Sequence, residues 1–409
     1  MKDDFFGIIC ATVTPSKMLH PVLPVFDEDS KKCLFSCERI VKGVFDSPTF
    51  KYALKCGYVL ERVHRFDRYK AKDSLWKPLQ MKLYAQKMRT SGGEPEDFQG
   101  LIDSYSEKFG EDFGAVIEET KGTWGKKKAM RHVFKILNNC GWGKHAQRSI
   151  LPENQVISQD NYSEWTDLSL NFLHGRKKFK SAVHWDTHIQ VNSEKVDKFA
   201  KPNLKGAYLP AAVFVPAYGR LQLTMELHKL EKTQVDRPRV VMMDTDSVVA
   251  IYYPEDKYPG VYNVPEGVKV GDWEREDSES AHGGIQTFVG LGPKTYCFKT
   301  VDGTESDPKA KGVRLGLATK NLANFRTYEE LIKKFLSENG KASSLKIPQN
   351  QFVSNSKDGI WTVQYWKKLG VDPGQMKGEC DEKGYIWPFG YGDAPEGIEL
   401  DWDLTDETI

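Results

Sequence analysis

The sharpest chemical feature of this 409-residue chain is Val240-Val241-Met242-Met243-Asp244-Thr245-Asp246-Ser247-Val248-Val249. Two β-branched or apolar runs flank a short acidic turn, the pattern of a β-hairpin. Two carboxylates two residues apart, between buried strands, repel one another unless a cation offsets them. Hard oxygen donors of this kind suit Mg²⁺ held partly by substrate phosphates. The same residues also suit an ordinary acidic β-turn, where Asp is favoured for its turn chemistry.

A second feature is basic. Lys121, Lys126, Lys127, Lys128, Arg131, Lys135, Lys144 and Arg148 occur between positions 121 and 148 without a single Asp or Glu. Residues 126–142 are predicted to be helical. At about 100° per residue, Lys128, Arg131, Lys135, Asn138, Asn139 and Trp142 share roughly one 100° arc. Ala129, Met130, Val133, Ile136 and Leu137 lie largely opposite and are expected to be buried. A face of cations, amides and an indole suits a triphosphate and a base that needs a stacking surface. A solvated lysine-rich face is the plain alternative, weakened by the complete absence of acids.

Gly290-Leu291-Gly292-Pro293-Lys294-Thr295-Tyr296 places a cation and an aromatic on alternate positions of a predicted strand, both on one face. Alone, it also reads as a half-exposed strand. Other patterns stop short. His184 and His188 have the spacing of a helical metal pair, but no Glu follows His184. Cys33 and Cys37 form a C-x₃-C pair without a second ligand pair nearby, leaving a zinc site open but incomplete. Gly143-Lys144 lacks the rest of a Walker loop, and no G-x-S-x-G elbow occurs.

The elements that must position these residues follow from periodicity. Residues 1–60 read as short strands and turns, 75–89 as a helix, 91–95 as a break, and the stretch from there to about 120 as polar helix. Residues 149–205 read as a polar insertion with its own hairpins. A helix over 211–230 leads into strands 240–243 and 247–253. Glycine-broken strands run to about 312, followed by a helix-rich part containing 328–337. From Gly390 the chain becomes an aromatic, acidic tail expected to be mobile.

Composition sets the outer limits. Lys and Arg number 58 against 57 acids, so any nucleic-acid surface must come from local segregation of charge. The longest nearly apolar run, about 208–218, is broken by Pro210 and Pro216 and is too short to span a membrane. Lys2, Asp3 and Asp4 follow Met1, which argues against a signal peptide. Seven scattered cysteines fit reduced thiols in a cytosolic or nuclear compartment better than a disulfide framework.

In order along the chain, these features resemble the polymerase half of protein-primed family B DNA polymerases, as found in adenoviruses, small tailed phages and Maverick/Polinton transposons. Lys135-Ile136-Leu137-Asn138-Asn139-Cys140-Gly141-Trp142-Gly143-Lys144 is similar to the motif K-x-x-x-N-S-x-Y/W-G, with Cys140 for the usual Ser. Asp244-Thr245-Asp246-Ser247 is similar to Y-x-D-T-D-S, with Met242 for Tyr. Lys294-Thr295-Tyr296 is similar to K-x-Y. Phe5-Phe6-Gly7-Ile8 through His20-Pro21-Val22-Leu23-Pro24, and Lys309-Ala310-Lys311-Gly312, resemble the Maverick/Polinton group. The likeness covers most of residues 1–325.

The resemblance implies an α+β right-hand polymerase with an antiparallel palm sheet, helical fingers and a small thumb. It places the palm's N-terminal part at 1–120, the fingers helix at 121–148, and a possible processivity insertion at 149–205. The palm with its catalytic hairpin falls at 206–300, the thumb at 301–390 and the acidic tail at 391–409. Asp244 and Asp246 take the catalytic, metal-binding role with two Mg²⁺ ions. Arg131, Lys135, Asn139, Trp142 and Lys87 take the incoming nucleotide, and Lys294, Tyr296 and Lys144 take DNA. Template–primer DNA, a deoxynucleoside triphosphate, a terminal protein primer and an N-terminal polymerase chain are the implied partners, without a membrane. The implied origin is a virus or mobile element.

One departure matters most. The family's first motif, D-x-x-S-L-Y-P, which supplies the other metal-binding Asp, is absent from the sequence, as is the exonuclease domain before it. With one of two anchors missing, this chain alone is expected to bind DNA or nucleotide and to polymerise poorly or not at all. The alternatives are an inactive descendant that binds DNA or a terminal protein, and an unrelated basic-patch protein.

Overall fold

The computed structural model describes residues 5–28, 32–70, 76–146, 152–184, 187–196, 208–231, 238–251, 271–274, 284–316, 319, 321–338, 340–341, 343–355, 359–371 and 377–396. Period-2 alternation in β1 (Gly7–Thr14) turns Ile9, Ala11 and Val13 inward. β2 (Pro24–Asp27) and β3 (Lys32–Phe35) form a small hairpin, and β4 (Ile40–Asp46) returns to pair with β1. Asp46 then caps α1 (Ser47–Lys55) by accepting from the Thr49 N–H at 2.9 Å, with Pro48 in the first turn. The sequence reading of 1–60 as strands and turns overlooked this helix, although Asp46-Ser47-Pro48 carries the start signal. β5 (Val59–Arg68) completes an antiparallel sheet of order β4-β1-β5.

Helices α2 (Lys77–Arg89), α3 (Phe98–Phe109) and α4 (Glu111–Glu118) enclose their own aromatic core around Tyr105, Phe113 and Ile117. Helix α5 (Lys128–Lys144) lies along α2. β6 (Glu153–Ser158), α6 (Tyr162–Leu173), β7 (Lys177–His184) and β8 (His188–Lys195) make a sheet of order β6-β8-β7, with a small core at Ile157, Leu168 and Val191. His184 and His188 thus stand on neighbouring strands, not on a helix.

The 23-residue helix α7 (Leu209–Glu231) crosses from α5 to the first core. Arg220 donates to the buried Asp46 carboxylate at 2.9 Å. Near its end, His228 Nε2 bonds the His20 carbonyl at 2.6 Å, so its Nδ1 accepts from the Tyr52 hydroxyl at 2.9 Å. β9 (Val240–Asp244) and β10 (Ser247–Ala250) follow as a hairpin paired only with itself among the described residues. The far end of strand 247–253 lies outside those residues.

A second large core lies under β11 (Ile285–Gly292), β12 (Thr295–Thr300), α8 (Phe325–Ser337), β13 (Ser343–Asn355) and β14 (Gly359–Val371). Here the expectation of a helix-rich part is corrected. The described residues hold one helix and a long two-stranded ribbon, because the 343–355 stretch lacks helical periodicity and pairs residue for residue with β14. β15 (Glu379–Cys380) and β16 (Ile386–Trp387) close the chain with a small hairpin.

The start of the expected mobile tail is also corrected. Tyr391 and Ala394 pack on the first core, the Lys17 N–H donates to the Pro395 carbonyl at 2.7 Å, and Lys17 pairs with Glu396 at 2.9 Å. Residues 397–409 lie outside the described set. The fold is mixed α+β, with eight helices among the described residues and small sheets whose described ladders are antiparallel. No described helix is long and apolar enough to cross a membrane, and none of the seven cysteines forms a disulfide.

Burial pushes the His228 imidazole down to about 4, and burial with repulsion from His228 pushes His20 down to about 3. The unfolded chain therefore binds protons that the folded one refuses. Stability is full above pH 6.5, declines as the pH falls, and has lost about 3 kcal/mol through His228 alone by about pH 4. Urea midpoints measured from pH 7 to 4 should show this slope, and His228→Gln should remove its share. An unchanged slope in the variant would refute the buried neutral imidazole.

Candidate functional site

Two groups of side chains matter, and each is built differently. The first lies between α2 and α5. Helix α5 begins after Lys127 without a side-chain cap, and has no residue fully buried along its length. Its half-buried positions are Phe134, Asn138, Gly141, Trp142 and Gly143, with His145 just beyond its end. His145 stacks on Trp76 at 4.8 Å between centroids, and Gln80 Nε2 donates to the Asn138 carbonyl at 3.5 Å. The helix is thus turned away from the expected orientation. Met130, Val133, Ile136 and Leu137, expected to be buried, are 45 to 48% exposed. Asn138 and Trp142, expected on the open face, turn partly inward, while Asn139 remains exposed. The cause lies in α2, whose Trp76 and Gln80 offer stacking and amide partners to this face and not to the aliphatic one.

Lys87, Arg131 and Lys135 nevertheless converge. Burial, and then the charges of Arg131 and Lys135, hold the Lys87 ammonium below the ordinary lysine value; Glu274 opposes that shift. Arg131 Nε donates to Ser91 Oγ at 3.0 Å, and Ser91 Oγ donates to the Lys87 carbonyl at 2.7 Å. Lys87 also sits 5.1 Å from the Tyr84 ring centroid. The charges of Arg131 and Lys135 lie close enough to disfavour the Lys87 ammonium, and a polyphosphate would relieve that crowding. Ser91 and Glu274 escaped the sequence reading. Ser91 had a signal, as part of Thr90-Ser91-Gly92 after Lys87, whereas nothing local marks Glu274. Lys144 closes α5 at an exposed position.

The second group is the acidic turn. Thr245 and Asp246 form its two-residue loop, and the Asp246 N–H donates to the Asp244 carbonyl at 2.6 Å. Thr245, a β-branched residue, takes φ +57°, and so does Lys294 in the β11–β12 turn. Only three non-glycine residues among the described ones are left-handed, so two of them fall here, at a cost of order 1–3 kcal/mol each. Lys294 Nζ lies 2.8 Å from Asp244 Oδ1, and the Thr245 hydroxyl donates to the same oxygen at 3.1 Å.

Two expectations are adjusted. Lys294 stands at the turn, not in the strand, so it does not share a face with Tyr296 by alternation. Tyr296 stacks on Phe288 at 5.4 Å, and its backbone bridges Lys309, drawing Lys294-Thr295-Tyr296 and Lys309-Ala310-Lys311-Gly312 together. The strands beside the acids are also half-open, with Val241 and Met243 exposed.

Asp244 Oδ1 already holds a cation at contact distance, and Asp246 is exposed beside it. These donors fit part of a Mg²⁺ shell whose remaining places go to water or phosphate. Among the described residues no group of three or more His, Cys, Asp or Glu side chains assembles. That holds for Cys33 and Cys37 too; the Cys37 thiol donates to the Met18 carbonyl. No ion pair or hydrogen bond among the described residues joins Asp244 or Asp246 to Lys87, Arg131 or Lys135.

The β13–β14 ribbon adds a surface the sequence reading missed. Its strands carry Lys346, Lys367 and Lys368 with no acid, and Phe352, Ile360 and Trp366 are exposed. Gln349 fixes its base by bonding Arg314 in both directions, at 2.7 and 3.0 Å. Two acid-free runs carrying aromatics, separated by Asp358, were the available signal. Comparison with protein families, curated proteins and solved structures finds no match to this chain.

If the α2–α5 cations hold a triphosphate, Lys135→Ala and Arg131→Ala should each weaken binding of a fluorescent deoxynucleoside triphosphate about 10-fold or more, the value of one charge-assisted hydrogen bond. Met130→Ser, on the other side of α5, should leave it unchanged. Equal losses in all three variants would point to a folding defect and against the phosphate seat.

Proposed function

We propose that the chain is the polymerase portion of a protein-primed family B DNA polymerase, adding deoxynucleotides to a DNA 3′ end, with a first metal-binding carboxylate supplied by a further polypeptide. One observation carries the reading. Lys87 of α2 is brought beside Arg131 and Lys135 of α5, far along the chain, and all three resemble family phosphate ligands. The contact between Asp244 and Lys294 supports it by linking two further motifs.

In this reading the 3′ hydroxyl gives up its proton to water and attacks the α-phosphorus, so that a new P–O bond forms as the bond to the β-phosphate breaks and pyrophosphate leaves. Lys87, Arg131 and Lys135 neutralise the triphosphate and the charge that develops on the departing pyrophosphate. Asn139 and Trp142 border the base and sugar. Lys294 and Tyr296 hold the primer strand, and Lys144 a template or primer phosphate. Asp244 and Asp246 hold Mg²⁺, which when bound stabilises the attacking and leaving oxygens. The β4-β1-β5 sheet with the β9–β10 hairpin would be the palm, α5 the fingers with α2 packed along it, and α8 with the β13–β14 ribbon the thumb. Exposed aromatics and lysines on that ribbon, and the segment 149–205, would follow the DNA.

A second reading has a specific observation in its favour. With only two acids at the turn, one of them held by Lys294, the chain could bind DNA or a terminal protein without chemistry. Primer extension with Mg²⁺, with and without a polypeptide carrying D-x-x-S-L-Y-P, separates the two. Incorporation is expected only with that polypeptide, and Asp246→Asn should reduce it by several kcal/mol of barrier, on the order of 1,000-fold. Incorporation by neither preparation favours the binding remnant. DNA affinity should fall steeply with added salt in both cases, and a flat salt profile would count against a phosphate-binding surface altogether.

A further inference from the structure

We infer that Lys294 is a positioning residue that occupies the cation seat at Asp244 until a polynucleotide phosphate draws it away, so that DNA and divalent-cation binding reinforce each other. This rests on the reading of Asp244 and Asp246 as cation ligands.

Three observations lead there. The Lys294 ammonium lies 2.8 Å from Asp244 Oδ1, where a metal ion would otherwise compete for the same lone pairs. The pair is not a structural staple. Lys294 is 57% and Asp244 29% exposed, and a solvent-facing pair of this kind is weak enough to exchange. Finally, both turns that carry the pair keep a non-glycine residue left-handed, Thr245 at φ +57° and Lys294 at φ +57°. Such backbone persists where surrounding structure holds it, and at bistable sites the strain is part of the device.

The electrostatic sign is fixed. With the ammonium in place, a divalent ion on Asp244 meets a like charge a few ångströms away, which lowers its affinity by a factor of order 10 after screening. A DNA phosphate near the β11–β12 turn offers Lys294 an alternative anion. Once the ammonium moves to it, Asp244 is released and the repulsion falls. By linkage the cation must then strengthen DNA binding by the same factor. The turn acids would thus be held by an internal cation in the free chain and handed to Mg²⁺ only when a primer is present.

The test measures Mn²⁺ binding to the full chain from the EPR signal of the free ion, with and without a DNA duplex bearing a recessed 3′ end. DNA occupancy is followed by anisotropy in the same samples. In the unmodified chain, DNA should raise Mn²⁺ affinity about 5-fold or more. Lys294→Gln should bind Mn²⁺ tightly without DNA and gain less than about 2-fold from it, whereas Lys294→Arg should behave like the unmodified chain. The inference is overturned if Lys294→Gln keeps the DNA-dependent gain, or if DNA-saturated unmodified chain shows none. If instead Asp244→Asn with Asp246→Asn leaves Mn²⁺ affinity unchanged, or no DNA binds, the polymerase reading itself fails and the exchange with it.

Discussion

Asp46 is a carboxylate almost wholly removed from water, and a charge in that position must be met by donors on every side. One oxygen accepts the Thr49 N–H and starts α1; the other accepts from Arg220 of α7. The demand of one buried charge therefore sets both where a helix begins against the first sheet and how a second helix lies across it. That second helix carries the constraint further. Its first turn reaches the end of α5, where Tyr208 meets His145 edge-on, and its last turn lodges His228 beneath Tyr52. One rod, fixed near its middle by an ion pair, thus joins the end of the cationic helix to the first core.

The two candidate groups share a physical character. Each holds more of one charge than its surroundings balance. On the α2–α5 side, burial and then the charges of Arg131 and Lys135 make Lys87 costly to keep protonated. At the turn, two acids are separated by a strained threonine, and a lysine from another hairpin covers one of them.

How much of this could be read from residues depended on whether a local rule decided the outcome. The acidic hairpin, α2, α5 and α7 were legible because apolar periodicity and turn chemistry act over a few residues. Helix α1 was legible too, through Asp46-Ser47-Pro48, but the short apolar runs around it outweighed the cap. The facing of α5 was not legible. A helical wheel sorts residues by polarity, yet the stacking of Trp76 on His145 and the amide contact of Gln80 decide which side turns inward, and both partners come from elsewhere in the chain. The same holds for Lys294. Its spacing to Tyr296 suggested a strand, whereas Pro293 before it made a turn, and only tertiary structure brings its ammonium to Asp244. The ribbon and the anchored stretch before residue 396 are long-range facts of the same kind.

The anchoring of that stretch has a cost in time. Tyr391 and Ala394 belong to the core that Ile9, Val13 and Phe50 begin, and Lys17 meets Glu396 across 379 positions of chain. A ribosome adding 5–20 residues per second needs roughly 20 to 75 s to supply the missing wall. Until then the nascent first core lacks the packing that Tyr391 and Ala394 supply. Loop closure over such a span is slow even after release. Chaperone dependence and a tendency to aggregate during expression would then trace to the order in which the core's pieces are made, not to any weakness in the finished core.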